Sequence, residues 1–227
     1  MKKGKFIIID GVDGAGKGTQ IELLESYLGK DNVYLTREPG GSLIAENIRT
    51  VFKHSEGEKF LPETELLLLL AARKQHIETT VKHWLNLGVN VISDRYESSS
   101  YAYQLFGREM DEESFERIWN SIDFDIKPDI MFILDLPVEV SMERIKNRDE
   151  VADRLDQESE GFFRRVREGF KAFSKRYSNE YPIIEIDAHN PPESVFERIV
   201  QQLKIRELNV SRQSTTTKNE TGNSNKV

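Results

Sequence analysis

The chain of 227 residues has no cysteine, which excludes a disulfide framework and any thiolate nucleophile or metal ligand. Basic charge is in the minority, 32 Lys and Arg against 39 Asp and Glu for a net charge of −7. A general nucleic-acid surface is thereby excluded, because binders of the phosphate backbone present a basic face; cations that serve phosphates here must be focused at one site. Long apolar runs are also missing. The basic start Met1-Lys2-Lys3-Gly4-Lys5 is not followed by an apolar segment of signal-peptide length before Asp10, so neither membrane insertion nor secretion is expected, and a cytoplasmic location is. The four histidines, His54, His76, His83 and His189, are scattered without carboxylates at ligand spacing, and each is expected to be structural or on the surface. Ser98 and Ser99 have no His-Asp partner nearby, which leaves a hydrolase without support.

What the sequence does contain is concentrated in Phe6 to Gln20, F-I-I-I-D-G-V-D-G-A-G-K-G-T-Q. The β-branched run Phe6-Ile7-Ile8-Ile9 has the character of a parallel strand covered on both faces. It leads into Gly11, Val12, Asp13, Gly14, Ala15, Gly16, Lys17, Gly18 and Thr19, a glycine-rich turn whose amides can converge on phosphate oxygens. Lys17 adds a point charge, and the helix expected from Thr19 to Leu28 adds the positive end of its dipole. The spacing Gly11-x4-Gly16-Lys17 fits most of the P-loop pattern, except that Gly18 stands where Ser or Thr is the rule. The hydroxyl comes one residue later, at Thr19, the candidate magnesium contact, direct or through water.

Further apolar runs at Val33 to Leu35, Val89 to Ile92, Ile130 to Leu134 and Ile183 to Ile186 alternate with helical patterns. The expected architecture is α/β, a P-loop NTPase fold with a five-stranded parallel sheet flanked by helices. The longest expected helix opens at Pro62, runs through the Leu66 to Leu70 block to about Leu87, and is capped by Gly88. One domain is expected over residues 1–210, and the polar stretch 211–227 is expected to be a disordered tail. The run Arg144 to Arg154 has no strong apolar period after Ile145; alone it suits a solvated charged helix or a mobile cationic lid over about 144–156.

Two other strand ends carry charge: Thr36-Arg37-Glu38-Pro39-Gly40-Gly41 and Asp94-Arg95-Tyr96, the latter continuing through Ser98-Ser99-Ser100-Tyr101-Ala102-Tyr103-Gln104. With the phosphate loop they converge on the carboxyl rim of the sheet, where ligands bind in open α/β folds. Together with Ala71-Ala72-Arg73-Lys74-Gln75, Asp153-Arg154 and Phe162 to Phe170, these segments resemble the thymidylate kinase family from about Lys5 to Leu203. Gly16-Lys17-Gly18-Thr19-Gln20 is instead similar to adenylate kinase, another nucleoside monophosphate kinase.

The resemblance implies transfer of the γ-phosphoryl group of ATP to dTMP with Mg²⁺ as cofactor, and a homodimer packed through helices. Lys17 and the loop amides would hold the ATP phosphates. Arg95 would bind the dTMP phosphate and reach the transferred group, while Arg73 and Arg37 fix that phosphate or the base. Asp13 corresponds to the acidic loop residue near the deoxyribose and the metal shell. Ser100 and Gln104 would contact thymine and Tyr103 the sugar. Leu69 occupies the position where most relatives stack a phenylalanine on the base. Because no arginine lies between Gly11 and Gly16, the lid is expected to supply cations, Arg144 toward ATP and Arg148 toward the transferred group. The alternatives are a sibling kinase with another monophosphate or deoxynucleoside acceptor, and a P-loop nucleotide switch.

Overall fold

In a computed structural model of the chain, the described residues are 3–54, 58–147 and 154–206. Arg148, Asp153 and the segment 211–227 lie outside them. Five strands, β1 (Phe6–Gly11), β2 (Val33–Arg37), β3 (Asn90–Asp94), β4 (Ile130–Asp135) and β5 (Ile183–Asp187), form one parallel sheet in the order β2-β3-β1-β4-β5. Every residue of β1 is buried, and β4 is buried from Ile130 to Leu134, as continuous apolar sequence in the centre of a parallel sheet requires. Ile7 faces Ile92 on one side and Ile130 on the other, so β1 is the spine of the core.

Right-handed crossovers combined with this strand order distribute the helices over both faces of the sheet. Helix α1 (Lys17–Leu28) follows β1 directly and packs against α9 (Pro192–Ile205). Helix α2 (Leu43–Lys53) leads to α3 (Pro62–His76), which opens with Pro62 at its first position as expected. Leu66, Leu70, Ala72, Arg73 and His76 recur at helical spacing on the buried side of α3, while Leu67 is half exposed. The helix widens into a π-turn at Ile77–Val81 before α4 (Lys82–Asn86) and the stop at Gly88, whose φ is +82°. Nothing in the sequence signals that π-turn.

After β3, α5 (Glu97–Ser100) passes into a second π-stretch, Tyr101–Gly107, followed by α6 (Glu112–Trp119). Helices α7 (Val138–Lys146) and α8 (Glu160–Tyr177) flank the expected lid. Gly169 of α8 sits so close to the π-stretch that a Cβ there would stand 2.7 Å from the Ala102 Cα. This approach lets α8 press Phe162 and Phe170 onto the Tyr103 ring and fix the wall of the site. No helix among the described residues is long and apolar enough to cross a membrane.

Candidate active site

The carboxyl end of β1 carries Asp10, fully buried. Its carboxylate accepts hydrogen bonds from the amides of Gly11, Tyr96 and Ser99 and from the hydroxyls of Ser98 and Ser99. Five donors on one carboxylate clamp the corner after β3 onto the end of β1. That corner holds Arg95 at φ +72°, a left-handed conformation that is costly for a residue with a Cβ and concentrates at functional sites.

Beyond Gly11 the chain forms the phosphate loop. Gly16 is the N-cap of α1 at φ +87° and offers no side chain to the first-turn amides, leaving them available to an anion. Lys17 is buried, its Nζ donating to the carbonyls of Gly11 at 3.1 Å and Val12 at 3.0 Å. Burial, and then the neighbouring Arg95 charge, lower its pKa from 10.5. The negative charge of an arriving polyphosphate opposes both effects, so the lysine gains electrostatically from the ligand it would hold. Gly18 and Thr19 are exposed at the start of α1, and Thr19 lines the cleft. From α7, the Ser141 Oγ donates to the Asp13 carbonyl at 2.6 Å and Arg144 donates to the Gly14 carbonyl at 3.2 Å.

Asp13 links loop and rim. One carboxylate oxygen accepts from Arg95, the other from the Tyr103 hydroxyl at 2.7 Å. Arg95 also donates to Ser99 Oγ at 2.8 Å and the Gly11 carbonyl at 3.2 Å, and its guanidinium carbon lies 5.2 Å from the centre of the Tyr103 ring. Burial alone would lower the Arg95 pKa, but Asp13, Tyr103, Asp10 and Asp94 outweigh it and hold the cation permanently charged. Burial and the Asp13 charge push the Tyr103 phenol well up, so it remains a donor.

A second group lies deeper. Arg73 donates through Nε to Glu38 at 2.6 Å and through Nη2 to the Tyr96 carbonyl at 3.0 Å and Ser100 Oγ at 2.9 Å. The other Glu38 oxygen pairs with His76 Nδ1 at 3.2 Å, and His76 Nε2 meets Thr36 Oγ1 at 2.7 Å. His76 is therefore structural and buried, whereas His54, His83 and His189 are exposed. Burial alone would raise the Glu38 carboxyl, yet Arg73 and His76 together hold it below its ordinary 4.5. A carboxyl depressed in the folded chain contributes stability above its unfolded pKa and loses it as pH falls through the folded value. The urea midpoint is accordingly expected to drop on acidification below about pH 4.5, and Glu38→Gln to flatten that part of the profile; equal acid sensitivity in the two proteins would remove Glu38 as its source.

These groups line two connected clefts. The polar one is bounded by Asp13, Gly14, Gly16, Lys17, Gly18, Thr19, Arg49, Lys53, Asp94 and Arg144. The other is bounded by Leu69, Arg73, Tyr96, Ser99, Ser100, Tyr103 and Gln104. Arg95, Glu38, Pro39, Phe52 and Leu155 line both, so the clefts meet at the guanidinium. An acidic chain has thus focused Lys17, Arg49, Arg95, Arg144 and Arg154 around one opening.

Of the residues singled out in the sequence, Leu69, Arg73, Arg95, Ser100, Tyr103 and Gln104 come together at the second cleft, and the loop from Asp13 to Thr19 at the first. Arg37 does not join them. It turns to Glu46 at 3.1 Å, half exposed in a separate groove, while Arg49, whose Nη1 donates to the Pro39 carbonyl, lines the phosphate cleft. Phe52, Glu38 and Glu65 were not singled out. Phe52 ends the amphipathic α2, whose apolar spacing could have pointed to it, and supplies an aromatic surface where Leu69 does not. Glu38 and Glu65 had no local signal. Among the described residues no group of three His, Cys, Asp or Glu could hold a metal ion.

The profile of the family described as thymidylate kinase matches residues 9–199. The thymidylate kinase of Vesicomyosocius okutanii subsp. Calyptogena okutanii (strain HA) is 41% identical over 207 residues, which cover 90% of this chain and 98% of that protein. That of Lactobacillus acidophilus (strain ATCC 700396 / NCK56 / N2 / NCFM) is 38% identical over 208 residues, 90% of this chain and 95% of the relative. The crystal structure of thymidylate kinase from Ehrlichia chaffeensis superposes with a TM-score of 0.69 at 31% identity, covering 88% of this chain and 99% of that one. A phosphate loop joined through Arg95 to a second pocket, a doubly wound parallel sheet and near full-length similarity agree: the chain belongs to the thymidylate kinase family.

Proposed function

We propose that this chain moves the γ-phosphoryl group of Mg-ATP to the phosphate of dTMP in one in-line step, the polar cleft taking ATP and the second cleft dTMP. The family activity is that of a dTMP kinase. One observation carries the reading: the two clefts share Arg95, fixed by Asp13, Ser99 and the Gly11 carbonyl at their junction. Transfer between two anions requires a cation there, to relieve repulsion between them and absorb charge on the moving group. A slow nucleotide switch has no use for a second anion pocket.

The acceptor's nucleophile is a phosphate oxygen that is already ionised, so no general base is required. Asp13 orients Arg95 and the Tyr103 hydroxyl instead, setting the ring beside the sugar, where it leaves little room for a 2′-hydroxyl. Lys17 and the amides of Gly14, Gly16 and Gly18 follow the donor phosphates, with Arg144 beside them; the role expected of Arg148 falls on a residue outside the described ones. The residues present fit magnesium, which takes few protein ligands and keeps phosphate and water oxygens. Thr19, and Asp94 with its buried Oδ1 lacking a hydrogen-bond partner among the described residues, would hold it directly or through water. Held there, the ion would neutralise charge on the donor phosphates.

Base choice follows from two buried atoms of residues that line the pocket. Arg73 Nη1, a donor, and Gln104 Oε1, an acceptor, have no hydrogen-bond partner among the described residues. Thymine offers the complement, an O4 acceptor beside an N3–H donor, whereas cytosine reverses both. Leaving either atom unpaired costs about 1–3 kcal/mol, enough to select between the two pyrimidines.

The homodimer has support in α2 and α3, which pack together and leave Leu43 (82%), Ile44, Val51 and Leu67 exposed. A cytoplasmic location accords with the absence of cysteine. Incubation with Mg-ATP and dTMP, with the nucleotides resolved chromatographically, tests the reaction. Equal amounts of dTDP and ADP are expected, and none with EDTA; ADP without dTDP would establish hydrolysis and overturn the proposal. Leu69→Phe is expected to lower the dTMP KM about threefold by adding an aromatic face, leaving the ATP KM alone. A changed ATP KM with an unchanged dTMP KM would remove Leu69 from the base site.

A further inference from the structure

Glu65 lies one helical turn before Leu69 on α3 and is 1% exposed. A carboxylate so buried requires partners, and among the described residues it has three. Arg108 Nε stands 3.1 Å from both its oxygens, Arg154 donates to Oε1, and Gln104 Nε2 donates to Oε2 at 3.0 Å. Both arginines are themselves fixed against aromatic rings, Arg108 over Phe162 at 4.7 Å and Arg154 over Phe52 and Phe60 at 4.8 and 5.0 Å. The carboxylate is held from one side by cations and faces Gln104 on the other.

The two ends of a glutamine amide have the same shape and opposite hydrogen-bonding character. Which end faces a ligand is decided by what the other end meets. An ionised carboxylate only accepts, so Gln104 must give it the NH₂ and must turn its oxygen to the pocket. We propose that Glu65 is the specificity-determining positioning residue of the acceptor site: by imposing this orientation it makes the pocket demand a ring N–H, and so selects thymine-type over cytosine-type bases. The inference rests on the reading of Gln104 as the partner of the base. Glu65 itself touches no substrate.

Glu65→Gln preserves shape and reverses the instruction. The new amide must present its oxygen to Arg108 and Arg154, so its NH₂ meets Gln104, which answers with its oxygen and turns its own NH₂ toward the base. Thymine N3–H then faces a donor. The probe for this contact is 5-methyl-dCMP, which keeps the ring shape and 5-methyl group of dTMP but carries an unprotonated N3 acceptor and a 4-amino donor. The parent is expected to bind dTMP about 100-fold more tightly than 5-methyl-dCMP, because the analogue meets the Gln104 oxygen with a lone pair and the Arg73 donor with an amino group. In Glu65→Gln that ratio is expected to fall about tenfold or more, since the turned Gln104 NH₂ now pairs with the N3 acceptor, and the dTMP over dCMP ratio in kcat/KM to fall in parallel, while the ATP KM holds. Glu65→Asp, which still only accepts, is expected to retain the parental preference. In a Gln104→Ala background, Glu65→Gln is expected to change neither ratio further, since the side chain it acts through is gone.

The two failures are distinguishable. A parent that binds both nucleotides equally overturns the role of Gln104 and the present inference with it. A parent that discriminates, joined by a Glu65→Gln protein that discriminates equally, overturns the role of Glu65 alone. Should Glu65→Gln not fold, NMR of the parent with bound dTMP decides the question. The Gln104 side-chain NH₂, identified by its loss in Gln104→Ala, is expected to show contacts to the Arg108 side chain; contacts to the thymine imino proton would overturn the proposal.

Discussion

Arg95→Ala is expected to lower kcat at saturating dTMP by about 10³-fold, with the ATP dissociation constant changed less than about threefold. The guanidinium stands where the two clefts join and is already held by Asp13, Ser99 and the Gly11 carbonyl, so it needs no reorganisation when charge develops. Preorganised donors in a partly dehydrated site matter most to the transition state. Binding of ATP depends instead on Lys17 and the loop amides, which the substitution leaves in place. Arg95→Lys keeps the charge but cannot span three acceptors at once, and is expected to fall between parent and alanine variant. Unchanged turnover in Arg95→Ala would take Arg95 out of the reaction.

Arg73→Ala is expected to damage both stability and acceptor binding. Arg73 and Glu38 are 3% and 5% exposed, and truncating the arginine leaves a buried carboxylate with, among the described residues, only His76 beside it. Breaking a buried pair in this way costs about 3–5 kcal/mol. For a chain of this size that is a loss of roughly 6–20 °C in Tm. The loss for dTMP has a separate origin, the buried, unpartnered Nη1 donor of this pocket-lining residue. Changing Arg73→Met together with Glu38→Gln separates the two effects, since it removes the stranded charge but not the missing donor. The double variant is expected to recover much of the Tm while dTMP binding stays weak. Recovery of both would show that Arg73 serves the fold alone; loss of neither in Arg73→Ala would show that the buried pair is dispensable.

Much of this architecture was legible because its determinants are local. The apolar run Phe6 to Ile9, the glycine spacing and Lys17 specify strand, turn and helix N-terminus within one short segment. Pro62 and Gly88 likewise mark the ends of one long helical unit. The π-turn at Ile77–Val81 was not legible, because a widened turn depends on how the flanking helical segments are held by the rest of the fold rather than on a residue type. The site divides along the same line. Asp13 and Lys17 follow from the loop, whereas the partners of Arg73 and Gln104 lie 35 and 39 residues away and are set by packing between elements. Arg37 shows the limit most clearly. Its position at the carboxyl end of β2, opposite Asp94, is given by the strand pattern, but the direction of its side chain is decided by Glu46 on the next helix. Phe52 was hidden for the converse reason: its place in an amphipathic stripe suits an ordinary core residue, and only the arrival of Arg154 and the rim of β3 beside it makes it a pocket wall.

The most direct test of dTMP selectivity compares acceptors on the parent protein: kcat/KM for dTMP, dUMP, dCMP, dAMP and dGMP at fixed Mg-ATP, followed by coupled detection of ADP. An Arg73 donor beside a Gln104 acceptor requires dTMP, with dUMP sharing its hydrogen-bonding face but lacking the methyl group, to exceed dCMP by about 100-fold or more, and the purine nucleotides to be poorer still. A preference for dCMP or for a purine monophosphate would contradict the assigned base pocket.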